Sequence, residues 1–170
     1  MTMRVYVDAT PLYDLGQIGD LGLLGVVEGD LSIPQAVVDQ ITVEPAATNL
    51  ERFLTEHAVD TDPAPAEYLD DAARLLDAGE RTSDVHLVAG LLASRDRGEA
   101  FALVSDDRRL RAVADGLGAT VTGTFGVVVC ASLGDKYFPA SQAKRVLRRT
   151  DHHGIQMTGR LRERAIGEVD

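Results

Sequence analysis

The chain has 170 residues, 45% of them hydrophobic, with a formal net charge of −10 at pH 7 and a pI near 4.8. That length suits one domain with a core of its own, and the apolar content excludes a disordered chain. The acidic balance opposes non-specific nucleic-acid binding, and it equally suits a protein working in high salt, where added carboxylates keep the surface hydrated. The single Cys130 has no internal disulfide partner, which points to a reducing, cytoplasmic setting. Asp8 breaks the first apolar run, so no signal peptide is expected, and no later run reaches membrane-spanning length.

From the amino terminus, Arg4-Val5-Tyr6-Val7 reads as a short buried strand that ends in Asp8. Pro11 sits where proline is tolerated at a helix start, which makes Thr10 the natural cap and leaves Asp8 for another purpose. The glycine-spaced apolar segment at 15–25 lacks the strand-glycine-helix arrangement of a phosphate cradle and reads as a loop or a loose helix pair. A second strand is expected over Leu31-Ser32-Ile33. A helix follows from Pro34 with Val37, Val38 and Ile41 inward, and another is capped by Asn49. Residues 60–65 form a polar loop. An amphipathic helix over 66–78 ends at Gly79, and Thr82 or Ser83 caps a further helix that carries Asp84 in its first turn. There Asp84 complements the helix dipole, and His86 reads as a helix histidine with no second histidine at metal spacing.

The stretch Phe101-Ala102-Leu103-Val104-Ser105-Asp106-Asp107-Arg108-Arg109 is the most informative. A buried strand ends in two acids, and a helix with Leu110, Val113, Ala114 and Leu117 on one face begins at once. Either acid serves as an N-cap on ordinary grounds. The same grammar at Val7-Asp8 favours a shared role. A last short strand covers 119–122, and a small-residue helix runs from 124 to about 132. Two more helices are expected from Pro139 onward, with a basic cluster at Lys144, Arg145, Arg148 and Arg149.

Strands alternating with helices, without hairpin signals, predict a three-layer α/β/α fold around a central parallel sheet. Asp8 and Asp106 then lie at the carboxyl edge of that sheet, where ligands bind. Carboxylates that converge without matching cationic side chains repel each other, and a divalent cation relieves this. Oxygen ligands with retained waters suit Mg²⁺ or Mn²⁺, and such an ion activates water and stabilises phosphoryl transfer.

Several segments, in order, resemble the PIN-domain family, in particular its prokaryotic toxin-like ribonuclease branch. They are Val-Asp-Ala-Thr at 7–10, Ile-Pro-Gln-Ala-Val-Val-Asp-Gln-Ile at 33–41, Gly-Glu-Arg-Thr-Ser-Asp at 79–84, Val-Ser-Asp-Asp-Arg-Arg at 104–109 and Val-Thr-Gly-Thr-Phe-Gly-Val-Val at 121–128. The resemblance implies a PIN-like domain over 1–135, with a C-terminal helical extension over 136–170 packed on it. It implies a Mg²⁺- or Mn²⁺-dependent endoribonuclease that cuts single-stranded RNA, as the toxin of a toxin–antitoxin pair or in RNA processing. Asp8, Asp84 and Asp106 would be the catalytic metal ligands, with Glu80 and Asp107 as auxiliaries. Thr10 and Ser105 would orient the carboxylates, and Arg108 and Arg109 would meet RNA phosphates. An antitoxin protein and a second copy of the chain are the implied partners, with the apolar 12–25 region as the pairing surface.

One departure stands out. The family's second acid falls on Gln40, a neutral residue. Asp39 points about 100° away on a helix, and Glu44 is limited by Pro45. The alternative is therefore a catalytically weakened PIN-like module that acts by binding protein or RNA. A phosphorylation receiver shares the fold but lacks the matching acids and late lysine.

Overall fold

The computed structural model describes residues 3–133. Five strands form one sheet: β1 (Arg4–Val7), β2 (Asp30–Ser32), β3 (Val59–Asp60), β4 (Phe101–Val104) and β5 (Thr120–Thr122), in the order β3-β2-β1-β4-β5. Every pairing is parallel, with Val5 opposite both Leu31 and Ala102, and Leu103 opposite Val121. The helices are α1 (Ala9–Gln17), α2 (Gln35–Val38), α3 (Ala46–Glu56), α4 (Glu67–Leu75), α5 (Ser83–Asp96), α6 (Arg108–Gly116) and α7 (Thr124–Leu133), with a 3₁₀ segment at Leu21–Val26. Helix α1 packs with α3, the 3₁₀ segment and α7. Helix α5 packs with α4, α2 and α6 and lies against β1 and β4. The crossovers β1 to β2 and β2 to β3 run one way along the sheet and β3 to β4 and β4 to β5 run back, so right-handed connections put α1 and α3 on one face and α4, α5 and α6 on the other. The expected three-layer α/β/α architecture is the one observed.

The central strands are buried on both faces, which is why β1 and β4 read as unbroken apolar runs. Tyr6 carries a polar end into this core. Its hydroxyl donates to the Gly90 carbonyl at 2.8 Å and shares a 2.7 Å bond with Ser94 Oγ. Gly90 is required there, because a Cβ would collide with the Tyr6 ring.

Several boundaries differ from the sequence reading. Helix α1 begins at Ala9, so Asp8 is its N-cap, accepting from the Ala9 N–H at 2.7 Å, and Thr10 is an exposed first-turn residue. Pro11 still fits, because first-turn amides have no partner inside the helix. The loop expected at 60–65 starts with an edge strand, β3, pinned by the 2.8 Å ion pair between Asp60 and Arg4. The helix after Pro34 stops at Val38, leaving Gln40 in an exposed turn. Asn49 lies inside α3 and donates from its side chain to the Gly16 carbonyl at 2.7 Å, tying α3 to α1. In the apolar 12–25 region, Leu12, Leu15, Leu21, Leu23 and Leu24 are all buried in the core of the chain itself. The helices, the basic cluster and the separate extension expected over 136–170 lie outside the described residues, and no described helix is long and apolar enough to cross a membrane.

Candidate active site

The sheet order reverses between β1 and β4, and that switch point is where parallel sheets leave a crevice at their carboxyl ends. Asp8 follows β1 and Ser105-Asp106 follows β4. Their backbones continue the ladder: the Asp8 N–H reaches the Val104 carbonyl at 2.9 Å, and the Ser105 N–H reaches that of Thr122 at 2.8 Å. The sheet therefore fixes where these residues stand.

Ser105, fully buried, is the hub. Its hydroxyl donates to Asp8 Oδ2 at 2.8 Å and accepts the Asp107 N–H at 3.1 Å. Asp107 is the N-cap of α6, accepting from Leu110 N–H at 2.9 Å. Asp106 turns the other way. Its carboxylate accepts the Thr124 N–H at 3.0 Å and the Thr124 hydroxyl at 2.6 Å, holding the start of α7. Gly123 makes this approach possible, since a Cβ there would fall on Asp106 Oδ1 and lie 2.9 Å from Arg111 Nη1.

Electrostatics tie the acids together. Asp8 is 6% exposed, and burial pushes its carboxyl above the usual range. The Ser105 and Ala9 hydrogen bonds oppose this, while the charges of Asp84 and Asp107 add to it. Asp84, half-buried in the first turn of α5 behind the Thr82 cap, is also raised, by burial and then by Asp107, with Arg109 pulling it down. No hydrogen bond or ion pair engages the Asp84 carboxylate among the described residues. Asp8, Asp84 and Asp107 thus feel one another's charge, while Asp106 is turned toward the start of α7.

Other predicted residues stand apart. Glu80 and Gln40 are exposed, and neither side chain hydrogen-bonds to these acids. Thr10 makes no side-chain hydrogen bond among the described residues. Glu44 is occupied at the start of α3, where it accepts from the Thr48 hydroxyl at 2.8 Å. Arg108 and Arg109 are exposed in the first turn of α6.

Sequence reasoning missed Asp14. It lies in α1, is 2% exposed, and its Oδ2 has no hydrogen-bond partner. Burial, reinforced by the charge of Asp106, pushes its carboxyl up to about 7. The available signal was helical phase: Asp14 is three residues beyond buried Pro11, on the packed side of α1.

A PIN-domain family model matches residues 4–170. The chain belongs to the PIN-domain family. No curated protein and no solved structure matches it. PIN domains have a nuclease-type fold and are generally metal-dependent ribonucleases. Among the described residues of this PIN domain, no three Asp, Glu, His or Cys side chains form a ready cage for an ion. The donors nevertheless suit a hard cation. They are carboxylate oxygens, crowded by like charge, and one buried oxygen lacks any partner. Mg²⁺ is commonly held by one or two carboxylates with the remaining positions left to water. Of the acids that the resemblance assigns to a metal, Asp8 and Asp84 act on each other electrostatically, and Asp106 has both oxygens on Thr124.

Proposed function

We propose that this PIN domain is a Mg²⁺- or Mn²⁺-dependent endoribonuclease acting on single-stranded RNA. The observation that carries the reading is that Asp8, Asp106 and Asp107 follow β1 and β4 at the switch point and that Asp84 of α5 acts electrostatically on Asp8, with no Lys or Arg ion-paired to any of the four among the described residues. A bound divalent ion would neutralise these carboxylates, activate a water and stabilise charge on a phosphate under in-line attack. The protein's own part is positioning. Ser105 and the Ala9 N–H fix the Asp8 carboxylate, and Thr124 fixes that of Asp106. Asp84, whose carboxylate makes no hydrogen bond among the described residues, is available to orient a water. Arg108 and Arg109 flank the acids on the exposed side, where a cationic side chain can meet an RNA phosphate. An antitoxin protein and a second copy of the chain belong to this proposal on the family resemblance alone.

A second reading, a PIN module that binds RNA or protein without cutting, draws on one observation. Asp8, Asp106 and Asp107 each already hold a helix start, and Gln40 supplies no further acid. End-labelled single-stranded RNA, incubated with Mg²⁺, Mn²⁺ or chelator in low and high salt, separates the two. Metal-dependent cleavage supports the nuclease. RNA binding without cleavage under every condition contradicts it and supports the binding module.

A further inference from the structure

We propose that Asp14 is a further acid of the cation centre, reaching it from α1 on the side of Asp106. This rests on the nuclease reading above and extends its ligand set to a residue on a different helix face.

Asp14 is 2% exposed, yet its Oδ2 receives no hydrogen bond. It is the only buried side-chain polar atom among the described residues left in that state. The other buried polar side chains near the site are satisfied: Asp8 by Ser105 and Ala9, and Thr124 by Asp106. A buried acid without a donor is costly. The charge nearest in effect is Asp106, another acid, so the pair repels. Helix α1, which carries Asp14, touches α7, the helix whose start Asp106 holds.

An acid pair of this kind has two explanations. Either the Asp14 carboxyl stays protonated and inert, or a cation meets its lone oxygen. The second accounts for the missing donor as well as for the repulsion, because an ion bound directly or through one water satisfies the lone oxygen. It also supplies the crowded switch point with a carboxylate that has no helix end to cap. Asp8 and Asp107 each give one oxygen to a helix start and Asp106 gives both to Thr124, whereas Asp14 caps no helix.

The test is Mn²⁺ binding to the full chain, measured by calorimetry or by loss of the free-ion EPR signal, for wild type, Asp14→Asn and Asp106→Asn. An exposed acid away from the site, Asp39→Asn, is the control. The expected result is Mn²⁺ affinity lowered about tenfold or more in Asp14→Asn, unchanged in Asp39→Asn, with the metal-free Asp14→Asn melting no lower than wild type. If wild type binds Mn²⁺ and Asp106→Asn weakens it while Asp14→Asn does not, the Asp14 assignment is overturned and the nuclease site stands. If wild type does not bind Mn²⁺, both fall. Should Asp14→Asn fail to fold, the smaller neutral variant Asp14→Ser takes its place in the same comparison.

Discussion

The Ser105 hydroxyl donates a 2.8 Å hydrogen bond to Asp8 Oδ2, joining residues 97 positions apart in the chain. That bond links the exits of β1 and β4, and through the Asp107 N–H on the same oxygen it also sets the start of α6. One buried hydroxyl thus serves the fold and the site together.

Ser105→Ala removes this bond and leaves the Asp107 N–H without its acceptor. A hydrogen bond to a charged group contributes about 1.5–3 kcal/mol, so the variant should lose stability of that order in urea unfolding at neutral pH. Asp8 should also become harder to ionise. An unchanged unfolding midpoint would mean that Asp8 is held without Ser105.

Stability without metal should fall as pH rises. Asp14 ionises at about 7 in the folded protein against 3.8 ordinarily, so between those values the folded state holds the proton more tightly than the unfolded chain does. The stabilisation is full below about 4 and is lost by about pH 7, a change of about 4 kcal/mol for a separation of that size. Burial moves Asp8 and Asp84 in the same direction. Metal-free wild type should therefore resist urea better at pH 5 than at pH 8. Asp14→Asn should reduce that difference by gaining stability at pH 8. An equal pH dependence in wild type and variant would contradict the burial of an unpartnered Asp14.

Gly90→Ala should destabilise the core. The added methyl would collide with the Tyr6 ring, whose hydroxyl is fixed by the Gly90 carbonyl and Ser94 and cannot easily follow. Overpacking of this kind costs about 1–3 kcal/mol. The melting temperature checks it, and an alanine at this position that is neutral would show that the ring has room to shift.

The strand-acid-helix units at 4–17 and 101–116 were legible because apolar runs, abrupt acids and helical periodicity coincide there. Strand β3 was not: Val59-Asp60 is too short to carry a period, and it exists because β2 and Arg4 hold it in place. The start of α1 was misplaced because Pro11 tolerates any first-turn position, so proline alone did not fix the cap. Asp84 and Asp106 were visible as acids in first turns and at strand ends, but the hold of Thr124 on Asp106 depends on a contact across 18 positions. Asp14 was hidden for a different reason. Acids on helices are ordinarily solvated, and only the packing of α1 against its neighbours makes this one buried.

Asp84 offers the most direct test of the central claim, because its carboxylate makes no hydrogen bond or ion pair among the described residues, and Asp84→Asn therefore alters charge without removing a structural contact. The measurement is the single-turnover rate of single-stranded RNA cleavage in Mn²⁺, with melting temperature recorded on the same samples. The expected rate is lower by about 100-fold or more, in a protein that melts at or above the wild-type temperature. A wild-type rate in Asp84→Asn, or a wild-type protein that cleaves no faster with Mn²⁺ than with chelator, would contradict it.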